Sequence, residues 1–170
     1  SIAVEISRLV EQIEHEARTR QKFEKMLSPN LVDRVVSGDL EIKKGGEMRA
    51  SAVMFSDIRG FTSLSERSDP QELVKLLNEY FELLVDVIFE FDGTLDKFMG
   101  DGVMAIWGSP MAIDRADEKA VLAGVKIQKV MAQFNNLRRM DGLAPIETGI
   151  GIDTGDLLAG YMGSSKTMSY

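Results

Sequence analysis

Two aspartates and a lysine carry the chemistry available to this sequence. Asp57 closes the apolar run "ASAVMFSD", and Asp101 stands between two glycines in "DKFMGDGVMAIWG", four residues after Lys97. Each aspartate alone has a bland reading, because Asp is common at strand ends and turn tips, where it bonds its own backbone. Two carboxylates brought to one place repel unless a cation joins them, and hard oxygen donors suit Mg²⁺ or Mn²⁺. A pair of such ions about 3.5 to 4 Å apart could activate an attacking oxygen and stabilise a leaving phosphate. The stretch "IRGFTSL" after Asp57 sets Gly60 among backbone N–H groups that could wrap a phosphate. Lys97 lies between Asp96 and Phe98, and the two-residue period of a strand puts it on the side of Leu95 and Met99. A lysine on a half-buried strand either snorkels to the sheet edge or faces a ligand cleft.

The flanking elements must bring these residues together. "ASAVMFSD" reads as a buried strand by length and flanks. "DPQELVKLLNEYFELLVDVIFEFDG" reads as a helix with Asp69 as its cap, Pro70 first, Glu72 completing a capping-box-like pair and Asp92-Gly93 as its stop. Its apolar set is Leu73, Leu76, Leu77, Tyr80, Leu84, Val87 and Ile88. Leu95 to Trp107 is a hairpin about Gly100-Asp101-Gly102. A second helix over roughly 114–139 carries Ala120, Val121, Gly124, Ile127, Val130, Met131 and Phe134 on one face. Pro145 precedes the strand "IETGIGID", and Thr154-Gly155-Asp156 turns into "LLAGYMG". Strand, helix, hairpin, helix, strand is the order of an α+β, ferredoxin-like βαββαβ core, an antiparallel-rich sheet with helices on one face. Its first strand is central, so both carboxylates can arrive at one end of adjacent strands.

Before this core, residues 1–28 read as an N-terminal signalling helix, with Ile2, Ile6, Leu9, Ile13, Phe23 and Leu27 on alternating steps of four and three. Such a helix either pairs with a copy of itself or lies as an amphipathic helix on the domain. Ser28-Pro29 breaks it, and residues 29–48 read as a short helix followed by the edge segment and loop "DLEIKKGGEMR". The domain proper is then 49–170.

The balance of charge narrows the partners. With a net charge of −7 and no Lys/Arg cluster, a nucleic-acid backbone would meet repulsion, whereas a small polyphosphate is acceptable if a divalent cation intervenes. The absence of cysteine excludes disulfides and thiolate metal sites. No apolar run approaches the roughly 20 residues of a membrane span.

Taken together, "MFSDIRGFTSLSE", "LLNEYF", "GTLDKFMGDGVMAIWG" and "IGIDTGDLLAGYMG" resemble the catalytic domain of class III nucleotidyl cyclases, specifically adenylyl cyclases, in unbroken order from about Ala50 to Tyr170. The resemblance implies that Asp57 and Asp101 are the catalytic, metal-binding pair and that Ile58 lends a backbone carbonyl to one of two Mg²⁺ or Mn²⁺ ions. It implies that Gly60, Phe61 and Thr62 hold the triphosphate. Lys97 falls on the base-reading position, where lysine goes with adenine and guanylyl cyclases usually place glutamate. The implied reaction is attack of the ATP 3′-hydroxyl on the α-phosphate, giving cyclic AMP and pyrophosphate. Implied partners are ATP, a second copy through the catalytic domain and N-terminal helix, and an upstream regulatory domain. ATP as substrate implies the cytoplasm or the cytoplasmic face of a membrane.

Three other readings compete: a cyclase-like dimerisation or regulatory module without catalysis, a guanylyl cyclase, and a diguanylate cyclase. Asp57, Lys97 and Asp101 together oppose the first, Lys97 opposes the second, and the lack of a Gly-Gly-Asp/Glu-Glu-Phe signature opposes the third. In the family, residues beyond a position like Tyr170 supply a second base contact and the Asn and Arg that orient ribose and meet transition-state charge. The resemblance therefore predicts that the purified 170-residue chain forms cyclic AMP at a rate lower by about 10³-fold or more than a complete domain. A cyclic AMP assay on that chain checks this, and robust turnover would contradict it.

Overall fold

A computed structural model of the chain describes residues 45–163 and 168–169. The expected helix over 1–28, and residues 29–44 of the expected helix and linker, lie outside the described residues. Strand β1 spans Gly45–Ile58 and is followed by a short helix α1, Phe61–Arg67. Helix α2, Pro70–Glu90, leads into the hairpin of β2, Thr94–Met99, and β3, Gly102–Trp107. Helix α3, Ala116–Met140, returns to β4, Thr148–Gly163, with a two-residue strand β5, Met168–Ser169, beside the end of β4. The sheet order is β2-β3-β1-β4-β5, and the paired neighbours are antiparallel. The ferredoxin-like α+β arrangement expected from the element order is present, with β1 central.

Local chemistry explains the boundaries. The Asp69 carboxylate accepts from the amides of Gln71 (2.9 Å) and Glu72 (3.3 Å), and Pro70 loses nothing at a position where the amide has no helical partner. Helix α2 buries Leu76, Tyr80, Leu84, Val87 and Ile88, spaced by three and four, against the sheet. Ala52, Met54 and Ile58 of β1, Val103, Ala105 and Trp107 of β3, and Ala120, Ala123, Ile127 and Met131 of α3 complete one core between sheet and helices. Each fully buried large aliphatic side chain contributes about 1.5–3 kcal/mol over leaving it exposed.

Three expectations are corrected. Val121 is 51 % exposed, and Ala123 occupies the buried stripe of α3, because Gly124 sets the contact line. A Cβ at Gly124 would lie 3.1 Å from Ile152 Cδ1, so the helix rides close on β4 there. Thr154-Gly155-Asp156 does not turn. It continues β4 opposite Ala52, Ser51 and Ala50, since the 14-residue β1 templates the pairing past the glycine. Gly45 to Arg49 belong to β1 and not to a loop, although they pair with β4 alone and so form the free-edged half of that strand.

The far end of α2 is locked by Trp107. Its indole is fully buried and donates from Nε1 to the Phe91 carbonyl at 2.9 Å, while Lys119 of α3 pairs with Asp92 at 2.7 Å. Gly93 sits beneath the indole, where a Cβ would approach the ring and Ile88 to 2.7 Å. Gly93→Ala should therefore destabilise the protein by about 1–3 kcal/mol through overpacking, read as a lower urea midpoint with an unchanged slope.

Candidate functional site

Asp57 and Asp101 come to one end of the sheet because β1 runs into that end and β3 runs out of it. Ser56 is paired with Val103, and Met99 with Gly102 closes the hairpin over Gly100-Asp101. Each residue of the Gly-Asp-Gly tip has its own reason. Gly100 takes φ 63°, the left-handed value that two-residue hairpin loops want at their first position. Gly102 has no room for a side chain, since a Cβ would lie 2.8 Å from the Ser56 carbonyl oxygen. That close approach brings Asp101 Oδ2 to 2.9 Å from the Ile58 amide, which donates to it.

The Asp57 carboxylate leans over β4. Gly149 is its register partner, and a Cβ at Gly149 would stand 2.5 Å from Asp57 Oδ1 and 2.7 Å from the Arg59 guanidinium. Arg59 Nε is 4.0 Å from Asp57 Oδ1, and the Arg59 amide donates to the Glu147 carbonyl at 2.8 Å. The start of β4 is held in place by Asn135, which bonds both the amide (2.9 Å) and the carbonyl (2.8 Å) of Ile146. Asp57, Asp101, Arg59, Phe55, Met99 and the backbone of Gly149 and Gly151 line one cavity of about 360 Å³.

Beneath the carboxylates lies a group of hydroxyls. Tyr80 reaches up from α2 and is fully buried, and its hydroxyl neighbours those of Ser56 and Thr148. None of the three has a partner at full hydrogen-bond geometry, so they form a loosely satisfied polar cluster under the site. Burial pushes the Tyr80 phenol above its ordinary range; the Ser56 and Thr148 hydroxyls oppose that, and the charges of Asp101 and Asp57 add to it.

Lys97 stands on the open face of the sheet, and the expected alignment with Leu95 is wrong. The pairing slips between Leu95, opposite Ala105, and Lys97, opposite Met104. A bulge at Asp96 thus separates Leu95 in the core from Lys97 on the opposite face. There Lys97 and Asp96 line a second concavity of about 580 Å³ with Val53, Phe55, Met104, Ile106 and Leu158. Phe55, 47 % exposed, borders both concavities, so the cavity of the aspartates and that of the lysine adjoin at this residue.

Gly60, Phe61 and Thr62 follow Ile58 and Arg59, as the N-cap and start of α1 and not as a loop. Gly60 takes φ 69° as the N-cap, without a side-chain cap, and the first-turn amides of such a helix have no internal partner. Arg59 lines the cavity with both aspartates. Reading the sequence assigns no site role to Arg59, Gly149 or the bulge residue Asp96, and it places Tyr80 in the core without its position under the aspartates. Of these, only the glycines of "TGIGID" left a signal, as small residues in an apolar strand.

The donor set suits a hard divalent cation brought by a ligand. Among the described residues no group of three or more His, Cys, Asp or Glu converges. Two carboxylates make a poor protein-only cage, yet Mg²⁺ commonly binds through one or two carboxylates plus substrate phosphates and retained waters.

Comparison with known proteins agrees with this arrangement. Residues 45–170 match the family described as "Adenylate and Guanylate cyclase catalytic domain". Adenylate cyclase 1 of Rhizobium meliloti is 38 % identical over 117 residues, covering 69 % of this chain and 18 % of that protein. The structure of the guanylyl cyclase Cya2 is 43 % identical with a TM-score of 0.70, covering 74 % of this chain and 64 % of that one. The adenylyl cyclase CyaB of P. aeruginosa is 36 % identical with a TM-score of 0.68, covering 77 % and 66 %. The chain spans only 18 to 27 % of the length of such curated relatives.

The buried phenol gives a testable consequence. A raised folded pKa stabilises the protein below the phenol's unfolded pKa and loses that contribution as pH rises through the folded value. Tyr80→Phe should therefore flatten the fall of stability on the alkaline side, measured as urea midpoints across pH 8 to 11. An unchanged pH profile would contradict the burial of an ionisable group there.

Proposed function

Because the chain belongs to the adenylate and guanylate cyclase catalytic-domain family, we propose that it forms cyclic AMP and pyrophosphate from ATP. The observation that carries this is the shared placement of Asp57 and Asp101 at one cavity, with Lys97 on the wall of the adjoining one. In the reaction a bond forms between O3′ and the α-phosphorus, and the bond from that phosphorus to the oxygen bridging to the β-phosphate breaks. The 3′-hydroxyl proton leaves and pyrophosphate departs.

Asp57 and Asp101, with the Ile58 carbonyl, are the residues that would hold Mg²⁺ or Mn²⁺. Bound there, such ions supply positive charge to the triphosphate and acidify the attacking hydroxyl. The Ile58 amide donates to Asp101 Oδ2 at 2.9 Å and so holds that carboxylate against the end of β1. Gly60, Phe61 and Thr62 present first-turn amides to phosphate oxygens, where helix geometry favours negative charge. Lys97 donates from the open face to the base edge. A lysine donor suits the unprotonated N1 of adenine and, by itself, the O6 of guanine as well.

GTP is the second reading, favoured by the likeness to the guanylyl cyclase Cya2. The lysine supports ATP, on the family pattern of the base-reading position. We further propose pairing with a second copy across the open face, where Phe55 and the 68 % exposed Leu158 stand, and an input domain upstream. No helix among the described residues is long and apolar enough to cross a membrane.

In the full-length protein, Asp57→Ala and Asp101→Ala should each lower Mn²⁺-dependent cyclic AMP formation by about 10³-fold or more, with melting temperatures near wild type. Lys97→Glu should shift preference toward GTP. Turnover that survives both aspartate changes would contradict the metal-holding role of the pair, whereas wild-type protein without turnover would favour the non-catalytic, regulatory reading.

A further inference from the structure

Asp96 is the feature of the cleft that the proposed reaction leaves without a role. Its side chain is 3 % exposed, whereas that of its neighbour Lys97 is 44 % exposed, and their charged atoms Oδ2 and Nζ are 3.2 Å apart. In a regular strand, consecutive side chains point to opposite faces and such a pair could not form. The slip in pairing between Leu95 and Lys97 makes Asp96 the extra residue of a bulge, and a bulge can turn two successive side chains to one face. Both residues line the concavity on the open face of the sheet. A regular strand would instead have sent Lys97 toward the core with Leu95.

A buried carboxylate is costly unless paired, so Asp96 gains from keeping the ammonium near it. A lysine held in this way loses the freedom of its flexible stem before any ligand arrives, which lowers the cost of binding. An ammonium carries three donors, so the pair with Asp96 and a contact to a base edge are compatible.

We propose that Asp96 is a positioning residue for base selection: its backbone bulge and buried carboxylate hold the Lys97 ammonium in the concavity where the purine edge is read. This rests on the base-reading role of Lys97, and the two ideas can fail separately.

The test uses the full-length protein with Mn²⁺, steady-state rates on ATP and GTP, and displacement of a fluorescent ATP analogue by each nucleotide. Asp96→Asn keeps the shape of the residue and removes its charge. It should raise KM and the displacement constant for ATP by about ten-fold, and lower the ATP-to-GTP ratio of kcat/KM by a similar factor. kcat on ATP should stay within about two-fold, as should the Mn²⁺ dependence, because the aspartate pair is untouched. A merely structural residue would lower kcat and stability together and leave the ratio alone. Lys97→Ala should lower the same ratio, and adding Asp96→Asn to it should change the ratio no further. If Asp96→Asn does not fold, Asp96→Glu, which displaces the carboxylate by one methylene, is read in the same way. A ratio unmoved by the Asp96 change but lowered by Lys97→Ala overturns the role of Asp96 alone. A ratio unmoved by Lys97→Ala overturns the base-reading role, and the positioning role falls with it.

Discussion

The hydrogen bond from the Ile58 amide to Asp101 Oδ2, at 2.9 Å, joins residues 43 apart in the chain and sets the geometry of the cleft. A bond to a charged acceptor is worth about 1.5–3 kcal/mol, far less than the core, so it does not create the approach of the two strands. The sheet does that, through the register of Ser56 with Val103 and the missing side chain at Gly102. The bond selects among the positions a hairpin tip could take. It holds one oxygen of Asp101 against β1, near the carboxylate of Asp57, in a protein that is already strongly negative. Two carboxylates at one cavity repel unless a cation joins them, and the Arg59 guanidinium stands 4.0 Å from Asp57 there.

Around this bond the two faces of the sheet divide the work. The helical face carries the core and supplies rigidity, with Trp107, Gly93 and the Asp92–Lys119 pair closing the far end of α2. The opposite face is open and mixed in character, and Phe55, Lys97 and Leu158 stand on it. Residues that serve the cleft from below, such as Tyr80, belong to the core face and reach the site only at the end of the sheet. That explains why a hydroxyl cluster with incomplete hydrogen bonding persists there and nowhere among the other described residues. Polar groups cost least where a polar cleft lies just above them.

Regular elements were legible in the residues. Helix α2 followed from its apolar spacing and from the Asp69-Pro70 start, and the β2–β3 hairpin followed from Gly100-Asp101-Gly102. Where the chain departs from regularity, periodicity misled. The period of two put Lys97 with Leu95, and the bulge at Asp96 reversed that, because an extra residue in one strand is visible only against its partner. Thr154-Gly155-Asp156 has the composition of a turn, yet β1 offers an unbroken ladder that satisfies those backbone groups as strand. Val121 has the right spacing for the core of α3 and is exposed, since the rotation of that helix is set by the contact of Gly124 with Ile152.

Residue types alone therefore determined which groups could do chemistry: two carboxylates, a lysine and a run of amides after a strand, in a chain whose alternation of strand and helix admits few topologies. They determined it because ionisation, hydrogen-bond capacity and local propensity belong to the residue and its near neighbours. Only the tertiary structure decided which face Lys97 occupies, that Arg59 and Gly149 attend Asp57, and that Tyr80 underlies both aspartates. Those facts depend on register, bulges and helix rotation, which are set by contacts between segments distant in the chain.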